Sequence, residues 1–249
     1  MIGKSRRLNR ILVGEKQRCL LSPLDHAGWL GPVKGLDRPR WIVEQVVAGG
    51  ANAILASPGF LRATAAYIPP SVGIVMRMSV TAGLSKQGTQ ETPIASLQTA
   101  LQMDADAVAV SVFFGRDGDL AIYTWLADLI QACSAYGMPV VAEMMPPEAG
   151  AYNATAIAHA ARIGLEIGAD IIKTNYCGNV EEFRKVVEAV PVPIIVAGGP
   201  KQANEPSLAS FTRDAVAGGA VGVAIGRRVW QSDDPCGVTR QVYQALWEA

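Results

Sequence analysis

The stretch AIAHAARIGLEIGADIIKTNYCG, residues 156–178, decides how this chain folds. Residues 156–168 carry apolar side chains at helical spacing and stop on a glycine, a common helix ending. Residues 170–176, DIIKTNY, follow almost at once and read as a short buried strand. A helix that feeds straight into a strand is half of a βαβ unit, and such units build parallel sheets. The pattern repeats on both sides. Further strand-like runs stand at 19–25 (CLLSPLD), 52–57 (NAILAS), 73–79 (GIVMRMS), 107–114 (AVAVSVFF), 139–145 (PVVAEMM), 193–199 (PIIVAGG) and 222–227 (GVAIGR), making eight in all. Helical patterns such as RPRWIVEQVVAGG, TPIASLQTALQM and LAIYTWLADLIQACSAYG lie between them. Eight strand–helix units in 249 residues predict an α/β fold, a (β/α)8 TIM barrel. An open doubly wound sheet fits less well, because no GxGxxG follows the first run. No linker is visible, so residues 1–249 read as a single domain, with residues 1–18 as a short N-terminal helical segment.

Composition narrows the function classes. Half the residues are hydrophobic, enough for one large core, and 22 basic residues balance 22 acidic ones. That balance predicts no electrostatic partnership with nucleic acid or an anionic membrane. The cysteines, Cys19, Cys133, Cys177 and Cys236, are widely spaced and contain no CxxC pair. They suggest free thiols in a reducing cytoplasm, with neither a disulfide framework nor a metal site. The basic N-terminus lacks a signal-peptide core, and no run reaches transmembrane length.

In a barrel of this kind the active site lies at the C-terminal ends of the strands. Standing there are Asp25, His26, Ser57, Arg77, Ser79, Glu143, Lys173 and Asn175, then the runs 198–201 and 226–228. Lys173 is the telling one. Side chains alternate along a strand, so Lys173 shares a face with Ile171 and Asn175, while Ile172 and Thr174 take the other. A buried ammonium is costly unless it is paired or loses its proton. As a neutral amine it can add to a ketone, lose water and form an iminium, which needs a proton carrier beside it. Asp25 could supply that, or could merely form a turn. Glu143, inside PVVAEMM, is out of place unless it faces the mouth; partial burial is expected to raise its pKa, and the bland alternative is an ion pair with Arg77 or Lys173. His26 could hold Asp25 or touch substrate, whereas His159 and Cys177 read as ordinary helix and packing residues. The glycines of AGGPK and IGRR, with Lys201 and Arg227, offer bare amides and cations for a phosphate.

The motifs also carry a resemblance. LSPLDHAGWLGPVKGL, ADIIKTNYCGNVEEFRKVV, VPIIVAGGPK and GVAIGRRVWQ resemble segments of the archaeal-type class I fructose-bisphosphate aldolases and their DeoC-like relatives, which include 2-amino-3,7-dideoxy-D-threo-hept-6-ulosonate synthase-like proteins. The resemblance spans about residues 19–232. It implies Lys173 as the Schiff-base lysine, Asp25 as an acid/base residue, and Gly199, Gly226 and Arg227 as phosphate contacts. In one place the chain departs. The family ends its fifth strand with Tyr-Pro-Arg-Gly, and its tyrosine moves protons; here Met145-Pro146-Pro147-Glu148 stands instead. Either Glu143 or Glu148 takes over, with Glu143, on the same strand face as Met145, the one favoured, or the reaction differs from fructose-bisphosphate cleavage.

Together these features predict a Schiff-base aldolase. Its catalytic residues are Lys173, Asp25 and Glu143; its substrate or phosphate contacts are Gly198, Gly199, Lys201, Gly226, Arg227, His26, Arg77 and Asn175. It makes or breaks a C–C bond in a phosphorylated ketose. The expected partners are a phosphorylated ketone such as dihydroxyacetone phosphate and an aldehyde, with no cofactor and no metal. Sugar catabolism and a biosynthetic condensation with an aldehyde such as aspartate semialdehyde are both open. A cytoplasmic homo-oligomer is expected. The alternative is a phosphometabolite-binding barrel, an isomerase or acyl-transfer relative or a catalytically impaired binder, in which the lysine is electrostatic only.

Overall fold

The computed structural model describes residues 2–86, 90–199 and 206–248. Eight parallel strands close into a barrel: β1 (Cys19–Pro23), β2 (Ala53–Ala56), β3 (Gly73–Arg77), β4 (Ala107–Phe113), β5 (Val140–Met145), β6 (Ile171–Thr174), β7 (Ile194–Ala197) and β8 (Gly222–Ala224). Each pairs with its neighbours in sequence, and β1 closes the ring on β8. The fold is the expected (β/α)8 barrel. Helices separate the strands, among them Pro39–Ala48, Asp119–Tyr136, Ala154–Glu166 and Val180–Glu188. No helix among the described residues is long and apolar enough to cross a membrane.

Strand alternation divides the core in two. Leu21, Leu55, Val75, Ala109, Val141, Ile171 and Ile195 fill the barrel interior. Their sequence neighbours Leu20, Ile54, Met76, Val108, Ala142, Ile172 and Ile194 point out and pack under the helices. Both faces of every strand are therefore dry, which is why the strands read as near-continuous apolar runs. The N-terminal helix Ile2–Ile11 lies at the N-terminal end of the barrel, where Ile11 and Leu12 join the interior cluster. A methyl group on Gly73, which starts β3, would stand 2.7 Å from the Arg10 carbonyl oxygen, so glycine lets that helix close in.

One element lies outside the regular pattern. After β3 the chain forms an antiparallel hairpin, Ser79–Thr81 against Glu91–Pro93, before it returns to helix Leu97–Gln102. The run GIVMRMS thus contains a barrel strand followed by the first residue of a separate hairpin strand.

Candidate active site

The C-terminal mouth of the barrel opens into a cavity of about 320 Å³. Strand register builds its floor. Ser111 of β4 is the partner of Glu143 on β5, and Glu143 is the partner of Lys173 on β6. One polar layer thus sits above the apolar layer of Ala109, Val141 and Ile171. Lys173 and Glu143 form a buried ion pair between Nζ and Oε1.

Arg77 reaches in from the end of β3 and binds this layer to β1. Its Nε donates to Asp25 Oδ2 at 2.6 Å, its Nη2 to Glu143 Oε2 at 2.8 Å, and its Nη1 to Ser111 Oγ. Ser111 Oγ in turn donates to Glu143 Oε2 at 2.6 Å. His26 Nδ1 lies 3.2 Å from Asp25 Oδ1, and its ring packs 5.7 Å from that of Trp230. Two cations and two carboxylates therefore share a nearly dry pocket floor, each charge facing an opposite one.

The protonation states follow. Burial by itself would push the Glu143 carboxyl up, but Lys173 and Arg77 outweigh it and hold the group down at about 2. The expectation that burial lifts Glu143 towards neutrality does not hold; the ion pair named as its bland alternative is what forms. Asp25 behaves alike: burial opposes ionisation, and Arg77 and His26 overcome it, leaving the carboxyl well below the ordinary range. Arg77, for which burial is unfavourable, is held above its ordinary value by Asp25 and Glu143.

The opposite side of the cavity is formed by Gly198, Gly199, Gly226 and Arg227. Gly199 has φ of 63°, a conformation that suits glycine, and a methyl on Gly198 would stand 2.5 Å from Ile225. Burial draws the Arg227 guanidinium down from its ordinary value, and among the described residues no carboxylate lies within ion-pair distance of it. An arginine so placed suits an incoming anion. Lys201, grouped with this end from the sequence, lies outside the described residues.

The cavity also brings Asp25, His26, Arg77, Glu143, Lys173 and Asn175 together. Asn175 also braces the rim, because its Nδ2 donates to the Ala151 carbonyl at 2.8 Å and ties the tip of β6 to the loop after β5. Ser57 is not among the lining residues; it accepts from the Phe60 amide at 3.4 Å and caps helix Pro58–Thr64. Exposed His159 lies in helix Ala154–Glu166. Several lining residues are not singled out by the sequence, among them Ser111, Glu91, Arg116 and Tyr152. Ser111 carries a usable signal, because it shares the inward parity of Ala109 and Phe113 in AVAVSVFF. Tyr152 follows a turn with no strand parity to orient it, yet its hydroxyl lies 3.5 Å from where a Cβ on Gly199 would stand. Among the described residues no group of three His, Cys, Asp or Glu is placed to hold a metal ion.

Barrel, buried lysine and anion-ready rim are compatible with an aldolase, and comparison with known proteins gives that class. Residues 19–232 match the family model described as DeoC/LacD family aldolase. The chain belongs to that family of aldolases. It is 34% identical over 245 residues to the 2-amino-3,7-dideoxy-D-threo-hept-6-ulosonate synthase of Halobacterium salinarum, covering 96% of this chain and 90% of that one. It is 31% identical over 240 residues to the 2-amino-4,5-dihydroxy-6-oxo-7-(phosphonooxy)heptanoate synthase of Streptomyces griseus, covering 94% and 86% respectively. Its fold matches the crystal structure of an archaeal fructose 1,6-bisphosphate aldolase with TM-score 0.86 at 23% identity, over 99% of this chain and 100% of the other.

Proposed function

We propose that this aldolase joins a phosphorylated ketone of the dihydroxyacetone phosphate type to an aldehyde of the aspartate semialdehyde type, through an imine on Lys173. The observation that carries the reading is Lys173 itself: buried, inward at the end of β6, and in contact with Glu143. In the first step the ammonium of Lys173 gives a proton to Glu143 Oε1, and the free amine adds to the ketone carbon. That transfer also removes the positive charge that contributes most to holding Glu143 ionised, so the carboxyl becomes a better proton holder as it receives the proton. The carbinolamine hydroxyl then leaves as water with the proton from Glu143. The resulting iminium draws electrons from the neighbouring carbon, whose C–H bond breaks to give an enamine. The enamine carbon attacks the aldehyde, and water finally releases the product and restores the amine.

Asp25 is assigned an acid/base place at the mouth in the final step, where water releases the product. Arg77, His26 and Asn175 frame the substrate, and Gly198, Gly199, Gly226 and Arg227 receive its phosphate. The choice of substrates is supported by the relatives. A 2-amino-4,5-dihydroxy-6-oxo-7-(phosphonooxy)heptanoate, the product named for the Streptomyces griseus relative, divides by an aldol cut into a three-carbon phosphoketone and a four-carbon amino acid aldehyde. Loss of the strand-end tyrosine also favours a reaction other than fructose-bisphosphate cleavage. The four cysteines are unpaired, which suits a reducing cytoplasm. A homo-oligomer rests on the general preference for identical-subunit assemblies, and light scattering would test it.

Incubation with dihydroxyacetone phosphate and borohydride, followed by peptide mass mapping, tests the reading. A reduced adduct on Lys173 supports it. A barrel in which Lys173 is only electrostatic gives no adduct.

A further inference from the structure

Formation of the carbon–carbon bond leaves an alkoxide that needs a proton, and enamine formation before it needs a base. The family's tyrosine position is taken by Met145, which can do neither. Three carboxyl groups line the cavity: Asp25, Glu91 and Glu143. Asp25 and Glu143 are each bound to a cation. Among the described residues no cation lies within ion-pair distance of Glu91.

We infer that Glu91 is the catalytic residue that takes the proton from the reacting carbon and gives it to the new alkoxide. This rests on the imine reading of Lys173. Glu91 stands opposite Thr81 on the hairpin that follows β3. Thr81 Oγ1 donates to its Oε1 at 2.9 Å, which anchors that oxygen. Its Oε2 is buried and has no hydrogen-bond partner among the described residues. In the ring order β3 lies across the barrel from β7, whose end carries Gly198 and Gly199. A ketone with its phosphate at β7 and β8 and its carbonyl at Lys173 thus extends its reacting carbon towards the hairpin. Burial also pushes the Glu91 carboxyl up from its ordinary value, with Arg77 opposing in part, so the group can both accept and return a proton.

The steps balance. Glu91 Oε2, as carboxylate, takes the proton of the carbon beside the iminium, and the C–H electron pair makes the enamine. The enamine carbon then bonds to the aldehyde carbon while the C=O π pair moves to oxygen, and Glu91 returns its proton there. The iminium is restored and Glu91 is again a carboxylate; no oxidant, reductant or metal enters.

The test uses the whole protein with dihydroxyacetone phosphate in D2O, without aldehyde, reading deuterium exchange at the reacting carbon beside borohydride trapping. Wild type comes first: absence of any Lys173 adduct would defeat the imine reading, on which the role of Glu91 rests. Given trapping, Glu91→Gln is expected to keep the adduct within about twofold and to lose exchange and condensation together by about 10²–10⁴-fold. Exchange within tenfold of wild type overturns the inference, as does loss of trapping in a folded Glu91→Gln. Should Glu91→Gln not fold, Glu91→Asp serves, since it keeps the acid but withdraws it by one methylene: exchange reduced at least tenfold with trapping intact supports the role, and full exchange refutes it. Tyr152→Phe is the control, and loss of exchange there with normal Glu91→Gln would move the role to Tyr152.

Discussion

Arg77 holds Asp25 and Glu143 at once, and its side chain is only 7% exposed. Removing it would leave two buried carboxylates facing each other with one cation fewer. Arg77→Leu is therefore expected to destabilise the protein by about 3–5 kcal/mol, read from the shift in urea midpoint. A change under about 1 kcal/mol would mean that the network is wetter than it looks. Glu143→Gln makes a different point. This variant should keep the fold but lower turnover by about 10²–10⁴-fold, because Lys173 then lacks a group to take its proton. The sign of the pH effect follows from a folded carboxyl held near 2 against an ordinary 4.5. Such a group contributes stability above its unfolded pKa and loses that contribution as pH falls through the folded value. The stability gap between wild type and Glu143→Gln should thus be widest above about pH 5 and shrink as pH falls towards 2. A gap that stays constant over that range would contradict the ion-pair assignment.

Among the elements, the ends of β7 and β8 are proposed to act together as a phosphate cradle. Arg227→Ala should raise KM for phosphate-bearing substrates by roughly 1.5–3 kcal/mol in apparent binding and leave KM for an unphosphorylated ketone nearly unchanged. Equal losses for both ketones would place Arg227 elsewhere in the reaction. Elements also differ in how far they can be read from sequence. The parity of β6 is legible, since Ile171 and Lys173 alternate regularly with Ile172 and Thr174, and the two core clusters divide Ile171 from Ile172 as expected. The hairpin after β3 is not. Its second strand is three residues, ETP, with a proline and no apolar alternation, so no periodicity marks it. Glu91 is hidden with it, since only the pairing with Thr81 places it in the mouth.

For the whole molecule, barrel closure turns eight separate strand ends into one site. Closure is legible because strands buried on both faces leave continuous apolar runs, spaced by helices. Which polar residues meet is a different matter. Ser111, Glu143 and Lys173 come from strands separated by helices Asp119–Tyr136 and Ala154–Glu166, and only the stagger of neighbouring strands decides that they share a layer. From sequence alone Glu143 could pair with Lys173 or with Arg77; the register lets it do both, and this reverses the expected direction of its pKa. Every step proposed for this barrel passes through the amine of Lys173. The most direct measurement is the intact mass and peptide map of wild type and Lys173→Ala after dihydroxyacetone phosphate and borohydride. A single reduced adduct on Lys173, absent from Lys173→Ala, is the predicted result; no adduct in wild type, or one on Lys34 or Lys201, would contradict it.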